Sequence, residues 1–332
     1  MDYRERYNIL RKIGSGGFSS VYLVTKKDNS KKLYALKVLE LEKITHCNQK
    51  INFSFLISRF RQEVSILKKL NSKYCIKYYE SSLDFNEERQ LFVLIEYVKG
   101  KTLKNMIQTQ LLTPTQAVEI IIKLCEGYSQ IHKAGIIHKD IKPENILITK
   151  GNNPKIIDFG IAVINDNKLS KDSSIIGTTS YFSPEMITSL GKVSIKSDIY
   201  SLGLVLYYML LETHPFKKEN PNITDLEIAN RILKQEISPI YLQNSKIPIP
   251  LSNCVQRSLL KNPILRYSSM KHFQKDLKTC FDLKRSKEKP LTNSKIIIKR
   301  LIEFITSLQF IIGIIMIFLV IIFGIVIGVN KW

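Results

Sequence analysis

The 332 residues predict an α+β fold, one two-lobed domain or two domains, with one further apolar helix near the C-terminus. Three observations carry this. Short apolar or alternating runs broken by Gly, Asn, Asp and Ser fill the first ninety-odd residues, as strands and turns do. After Gly100 the apolar positions recur at helical spacing. Residues 310 to 329, FIIGIIMIFLVIIFGIVIGV, then carry no charge.

In chain order, YNILRKIG, SSVYLVTKK and KLYALKVLEL read as strands. RFRQEVSILKKL, residues 59 to 70, is expected as a helix because Phe60, Val64, Leu67 and Leu70 fall on one face. QLFVLIEYV, 90 to 98, returns to a buried strand and closes a small lobe of about 7 to 98. In the larger lobe, about 99 to 281, PTQAVEIIIKLCEGYSQIHKAG at 114 to 135 opens with Pro and ends with Gly, the start and stop asymmetry of a helix. KSDIYSLGLVLYYMLL, 196 to 211, is apolar nearly all round and predicts a buried helix, short for a bilayer. Shorter helices are expected through Leu226 to Lys234, Ser252 to Lys261 and Met270 to Cys280. No internal repeat is visible.

Residues 282 to 309 lose this periodicity and include LKRSKEKPLTNSK, which reads as a linker. The uncharged run follows. Twenty residues at about 1.5 Å each reach roughly 30 Å, the hydrocarbon thickness of a bilayer. A core helix of that length would keep a polar face, so 310–329 is expected to be a transmembrane helix in contact with lipid. Between 282 and 309, seven basic residues face three acidic ones, the excess that the positive-inside rule places on a cytoplasmic flank. The expected placement is a single-pass membrane protein with its body in the cytoplasm and its C-terminus across the membrane, or on an internal organelle membrane if the source is eukaryotic. Gly324 and Gly328 have the GxxxG spacing that permits close helix contact and a homodimer. An Ile-rich span also produces that spacing by chance.

The formal charge of +21 suits nucleic acid or an anionic membrane in general. Here lysines are spread along the whole chain, with no dense basic run interleaved with aromatics, so no nucleic-acid partner is expected. The cysteines, 47, 75, 125, 254 and 280, lack CxxC spacing, which argues against a zinc site or a disulfide framework. MDYRERYNIL is charged and resembles no apolar leader.

Several polar groups stand where chemistry needs them. GSGGFSSV, 14 to 21, lies between two strands, and glycines there let backbone N–H groups approach phosphates. Alone, such a loop is more often a plain hairpin turn. Lys37 sits in an apolar strand, YALKV, where an ammonium is costly without a partner. Glu63, on the inward side of the first helix, is the candidate. Taken singly, each reads as a surface or snorkelling charge. HKDIKPEN sets Asp140, Lys142 and Asn145 in a short polar loop between apolar flanks. A carboxylate can orient a hydroxyl and take its proton, a lysine can neutralise phosphate charge, and an amide oxygen can ligate a hard cation. KIIDFGIA ends another strand at Asp158, a position where Asp is usually a turn residue.

Along one chain, the Gly-rich hairpin, strand Lys, helix Glu, HxDxKxxN, DFG and a later SPE resemble the signature set of the Hanks-type serine/threonine protein kinases. The resemblance covers about residues 7 to 281 and implies a kinase domain over 1–281 with the bilobal protein-kinase fold. ATP and Mg²⁺, with Mn²⁺ as the alternative ion, would bind between the lobes. By motif match, Gly14 and Gly16 would cover the phosphates, Ser19 replacing the third glycine. Lys37 would contact the phosphates and pair with Glu63. Val21 and Ala35 would pack on adenine, and the backbone from Glu96 to Val98 would form the hinge after Ile95. Asp140 would act as catalytic base, Lys142 would stabilise the transferring group, and Asn145 and Asp158 would hold the metal. His138 and Phe159 would be packing residues. Asp198 would brace the loop, and Glu185 would pair with Arg266.

Thr178 would bridge Asp140 and Lys142, and Ser173 or Ser174 stands where family members carry an activating phosphate. Ser19, the long ITHCNQKINFSF segment before Glu63, and Lys139 in place of the usual Arg depart from the pattern. KIIDFGIA, SDIYSLG and the single span look most like bacterial membrane-anchored members. The implied function is a membrane-tethered kinase that moves the ATP γ-phosphate to Ser or Thr of protein substrates, itself included. The alternative is a membrane-anchored pseudokinase that serves as an ATP-binding scaffold.

Overall fold

In the computed structural model, Tyr7–Ser15 (β1), Ser19–Lys26 (β2), Tyr34–Leu39 (β3), Tyr78–Ser82 (β4) and Leu91–Glu96 (β5) form an antiparallel sheet in the order β1-β2-β3-β5-β4. The structure describes residues 3–16, 18–28, 31–40, 53–83, 91–110, 112–160, 163–164, 179–188, 193–217 and 223–291. It divides into two units, Met1–Lys287 and Glu288–Trp332, of which the second is described only from Glu288 to Leu291. Among the described residues no helix is long and apolar enough to cross a membrane. The 310–329 run, with Gly324 and Gly328, lies outside them.

Strand alternation divides the small lobe between two cores. Tyr34, Leu36 and Val38 of β3 pack on the outer face with Val24, Phe92 and Leu94, under the short helix Tyr3–Arg6 (α1). Ala35 and Leu39 face inward to the core shared with the larger lobe, and Lys37 lies between them on the same face. The helix expected from residue 59 begins earlier and spans Phe53–Lys69 (α2). Its extra turns are held by Leu56 and Ile57, which pack against the same core. Apolar spacing counted from Phe60 onward could not by itself locate that end.

Pro114–Lys133 (α4), preceded by Leu103–Thr109 (α3), starts at Thr113, whose hydroxyl accepts from Gln116 N while Thr113 N donates to the Gln116 side-chain oxygen. Ile195–Leu211 (α6) is buried on all sides from Ser197 to Tyr207, as its composition predicts. It packs between α4 and Ile249–Ser258 (α8). That last helix lies three residues before its expected position. Pro248 and Pro250 pre-set its first turn, and its end is closed where Leu259 N meets the carbonyls of Val255 and Gln256. Met270–Lys278 (α9) packs on α4. Arg285, at the start of the segment read as linker, folds back so that Nη1 donates to Asp276 O (3.0 Å), Asp276 Oδ1 (2.8 Å) and Thr279 Oγ1 (3.0 Å).

Gly203 allows the closest approach in this lobe. A Cβ there would overlap the Ser258 hydroxyl and stand 3.1 Å from Leu259 Cδ2. Gly203→Ala is therefore expected to cost about 2 kcal/mol by overpacking, measured as a lower urea midpoint with an unchanged slope.

Candidate active site

The polar loop 138–145 runs from Ile136–Ile137 (β7) to Ile146–Thr149 (β8), and both strands are anchored in the core. Its shape is set from below by Asp198, in the first turn of α6 and fully buried. Asp198 accepts from His138 N and Lys139 N, both at 2.9 Å, and its Oδ2 is bonded to His132 Nε2 at 2.7 Å. Two successive N–H groups can converge on one carboxylate because Lys139 is left-handed, with φ 64°, an uncommon state for a non-glycine residue. Burial would raise the Asp198 carboxyl, but the bonds from His132 and His138 hold it below its usual range.

On that support the three predicted loop residues meet. Lys142 Nζ donates to both oxygens of Asp140 at 2.9 and 2.7 Å. Asn145 Nδ2 donates to Asp140 O (3.0 Å) and Oδ2 (2.8 Å). With its amide nitrogen turned to Asp140, Asn145 keeps its amide oxygen as the atom able to ligate a cation. Ile157 N donates to Asn145 O at 3.0 Å, which places the turn of Asp158 beside the loop. His138 and Phe159 are buried with ring centroids 5.1 Å apart. They are packing residues, as expected, and burial keeps the imidazole less basic than usual.

A second cluster joins the lobes. Lys37 Nζ donates to Glu63 Oε1 at 2.6 Å and to Asp158 Oδ1 at 3.3 Å. Burial would lower the Lys37 ammonium, yet the carboxylates of Asp158 and Glu63 hold it above its usual value. Burial would likewise raise Asp158, but Lys37 and the Gly160 N–H, 3.1 Å from Oδ1, depress it to about 2. The register Gly14↔Val21↔Lys37 puts these residues in one row on the inner sheet face. Ala35 is buried opposite Ile95. Glu96 ends β5, its carboxylate accepting from Lys155 Nζ (2.8 Å) and Lys77 N (3.2 Å). Val98 packs against the shared core. At the glycine-rich turn Gly16 N donates to Ser19 O at 2.7 Å, so that N–H closes the hairpin in this state.

The later SPE motif also forms its expected pair. Both Glu185 oxygens accept from Arg266, at 2.7 and 2.9 Å. Thr178, Ser173 and Ser174 lie outside the described residues. Their neighbour Thr179 donates to Asp225 Oδ1 at 2.8 Å.

Sequence reasoning missed Arg59 and His132. Arg59 lies one turn before Glu63 on the same helix, a spacing that could have flagged it. Its Nη1 is 3.4 Å from Gly160 O, and its charge acts on Lys139. His132 carried no local signal, because its partner is 66 residues away.

A family model described as protein kinase domain matches residues 7–277. Serine/threonine-protein kinase PrkC of Bacillus subtilis is 33% identical over 290 residues, covering 86% of this chain and 42% of the relative. Serine/threonine-protein kinase PknB of Mycobacterium tuberculosis is 32% identical over 278 residues, covering 82% and 42%. A probable serine/threonine-protein kinase of Clostridium perfringens is 31% identical over 275 residues, covering 82% and 38%. The chain thus spans about two fifths of the length of these relatives.

Proposed function

The chain belongs to the protein kinase family, and on that premise we propose that it transfers the ATP γ-phosphate to Ser or Thr hydroxyls of proteins, itself included. The observation that carries this is the meeting of two ionic clusters in one cleft: Lys37, Glu63 and Asp158, and Asp140, Lys142 and Asn145. The donors fit the cofactors. Asp158 is held ionised, and the Asn145 amide nitrogen is turned to Asp140, so these two would hold Mg²⁺. Bound there, the metal supplies charge neutralisation at the phosphates. Lys37 would pair with the phosphates, and Val21, Ala35 and the backbone from Glu96 to Val98 would enclose the adenine.

Asp140 would accept the substrate hydroxyl proton as the new O–P bond forms and the bond to ADP breaks. Lys142 would stay beside the transferred group. Catalysis of this kind rests on position and charge, which Asp198 maintains through the loop backbone. Incubating the chain with labelled ATP and Mg²⁺, followed by phosphoamino-acid analysis, tests the reading. Phosphoserine or phosphothreonine is the expected product. Bound ATP without transfer would favour a scaffold.

Residues 310–329 would hold this domain at a membrane, with the body on the side of the basic 282–309 segment. Resistance to alkaline extraction from membranes is the corresponding measurement.

Regulation would centre on Lys139. Burial and the neighbouring Arg59 guanidinium push its pKa down to about 8, against the pull of Asp198. A phosphate on Ser174 would require Lys139 in its charged form, so its grip should weaken as pH rises through about 8. Arginine remains charged across this range. Stimulation by phosphorylation, measured against Ser174→Ala, is expected to fall several-fold between pH 7 and 9. In Lys139→Arg the stimulation should stay level.

A further inference from the structure

The outer face of the small lobe's sheet gathers a feature that linear sequence hides. Lys32 Nζ lies over the rings of Tyr79 (4.6 Å) and Tyr34 (5.2 Å), with Lys26 also over Tyr34 at 5.8 Å. Lys77 lies over Tyr79 at 5.6 Å. At the α1 end, Arg4 stands over Tyr3 (5.2 Å) and Arg6 over Tyr7 (5.6 Å). These residues come from α1, β1, β2, β3, β4 and the segments beside them, so no run of the chain displays the pattern. Of the five cations, only Lys26 is not classed as exposed. The Glu80 carboxylate takes both Arg6 (2.8 Å) and Lys26 (3.0 Å). Glu5, Glu40 and Glu96 are the other acids near this face, Glu40 accepting from Tyr22 at 3.1 Å and Glu96, opposite Tyr34, accepting from Lys155 Nζ at 2.8 Å. Cations outnumber acids even so.

The rings themselves are largely hidden. Tyr3, Tyr7 and Tyr34 are at most 7% exposed. A ring in that position holds the charged head itself, 4.6 to 5.8 Å from its centroid, and so orders the cation at the surface. It offers no open platform for a base, which single-stranded nucleic acid requires. Beside these cations, Ile9 of β1, paired with Val24 of this face, is 39% exposed. Pre-ordered cations together with an exposed aliphatic side chain match the headgroup region of an anionic bilayer.

We propose that this outer sheet face docks the domain on an anionic lipid surface. The orientation is compatible with the proposed activity. Strand alternation puts Lys37 and Ala35 on the opposite face from Tyr34, so the cleft would point away from the lipid. The inference rests on the membrane reading of 310–329 only for where the docking would act, and its test omits that segment.

Met1–Lys287 forms a unit with its own core and can be mixed with phosphatidylcholine vesicles containing about 30% phosphatidylserine, a composition that gives an anionic surface. Sedimentation with these vesicles is expected, with none on pure phosphatidylcholine and release at high salt. Lys32→Glu with Arg4→Glu should weaken binding at least about tenfold and leave transfer to a soluble peptide unchanged. If that pair lowers the melting temperature, Lys32→Gln with Arg4→Gln replaces it, with an expected loss of several-fold. Equal binding to neutral vesicles, no binding to either, or unchanged binding by a folded variant would overturn the proposal. So would displacement by a single-stranded oligonucleotide that the domain binds more tightly.

Discussion

Asp140→Asn is expected to slow phosphoryl transfer by about a thousandfold, the usual scale for removing a positioned general base. The loss should come with little change in ATP affinity. The side chain of Asp140 bonds to Lys142 and Asn145, whereas Lys37, Glu63 and Asp158 bond among themselves. Both Asp140 oxygens now accept from Lys142, and Oδ2 also accepts from Asn145. An amide in that place must turn an NH₂ toward one of these donors, besides losing its charge. The loop should still hold its course, because Asp198 grips the His138 and Lys139 backbone rather than any side chain that changes. Lys37→Met gives the useful contrast, since it should lose both nucleotide affinity and transfer. Measuring analogue binding and labelled-phosphate transfer on both variants separates the two clusters. Retained transfer in Asp140→Asn would mean that another group takes the proton.

These two clusters differed in how plainly they could be read. Lys37 was legible because an ammonium in an apolar strand demands a partner, and the helical phase of Phe60 and Val64 turned Glu63 inward. The catalytic loop was legible as polar residues at fixed spacing between apolar flanks. Both signals are local. His132 acts across 66 residues of chain, and the outer cation–ring array is assembled from several strands, so no spacing rule could find them; Arg59 reaches Gly160 across 101 residues, and only its place one turn before Glu63 could have flagged it. The start of α2 was misplaced for a related reason: tertiary packing of Leu56 and Ile57 extends the helix beyond the stretch whose apolar spacing marked it. The glycine-rich turn was legible in its position but not in its hydrogen bonding, which closes Gly16 on Ser19.

Breaking the Glu185–Arg266 pair should produce the largest loss of stability. Arg266 is fully buried, and each of its nitrogens has a partner. Nε donates to Leu260 O (2.7 Å), while Nη1 and Nη2 reach the carbonyls of Lys196 and Lys261, both at 2.9 Å, besides the two Glu185 oxygens. Ser197 Oγ donates to Glu185 at 2.7 Å, tying Pro184–Thr188 (α5) to the first turn of α6. Arg266→Ala would leave the buried Glu185 carboxylate without its counter-charge, with Ser197 still donating to it, and would strip three carbonyls of their Arg266 donors, at a cost of about 3–5 kcal/mol. Lysine has too few donors, in the wrong geometry, to restore the fork. Replacing both partners by Arg266→Met and Glu185→Leu should cost clearly less than Arg266→Ala, since no charge is stranded, yet the three carbonyls prevent full recovery.

The pH response supplies a second readout of the same pair. Burial would raise the Glu185 carboxyl, but Arg266 and Ser197 hold it below its ordinary value. A folded-state value below the unfolded one means that the contribution is present above the unfolded pKa of about 4.3 and is lost as pH falls through the folded value. Denaturation midpoints of the wild type should therefore carry an acid-side loss that the Met/Leu double variant lacks. Equal acid sensitivity in the two would place the titrating group elsewhere. Transfer activity in Arg266→Ala should fall along with stability, because Thr179–Tyr181, just before α5, is held to the same helix by Ser201 Oγ donating to Tyr181 O at 2.7 Å.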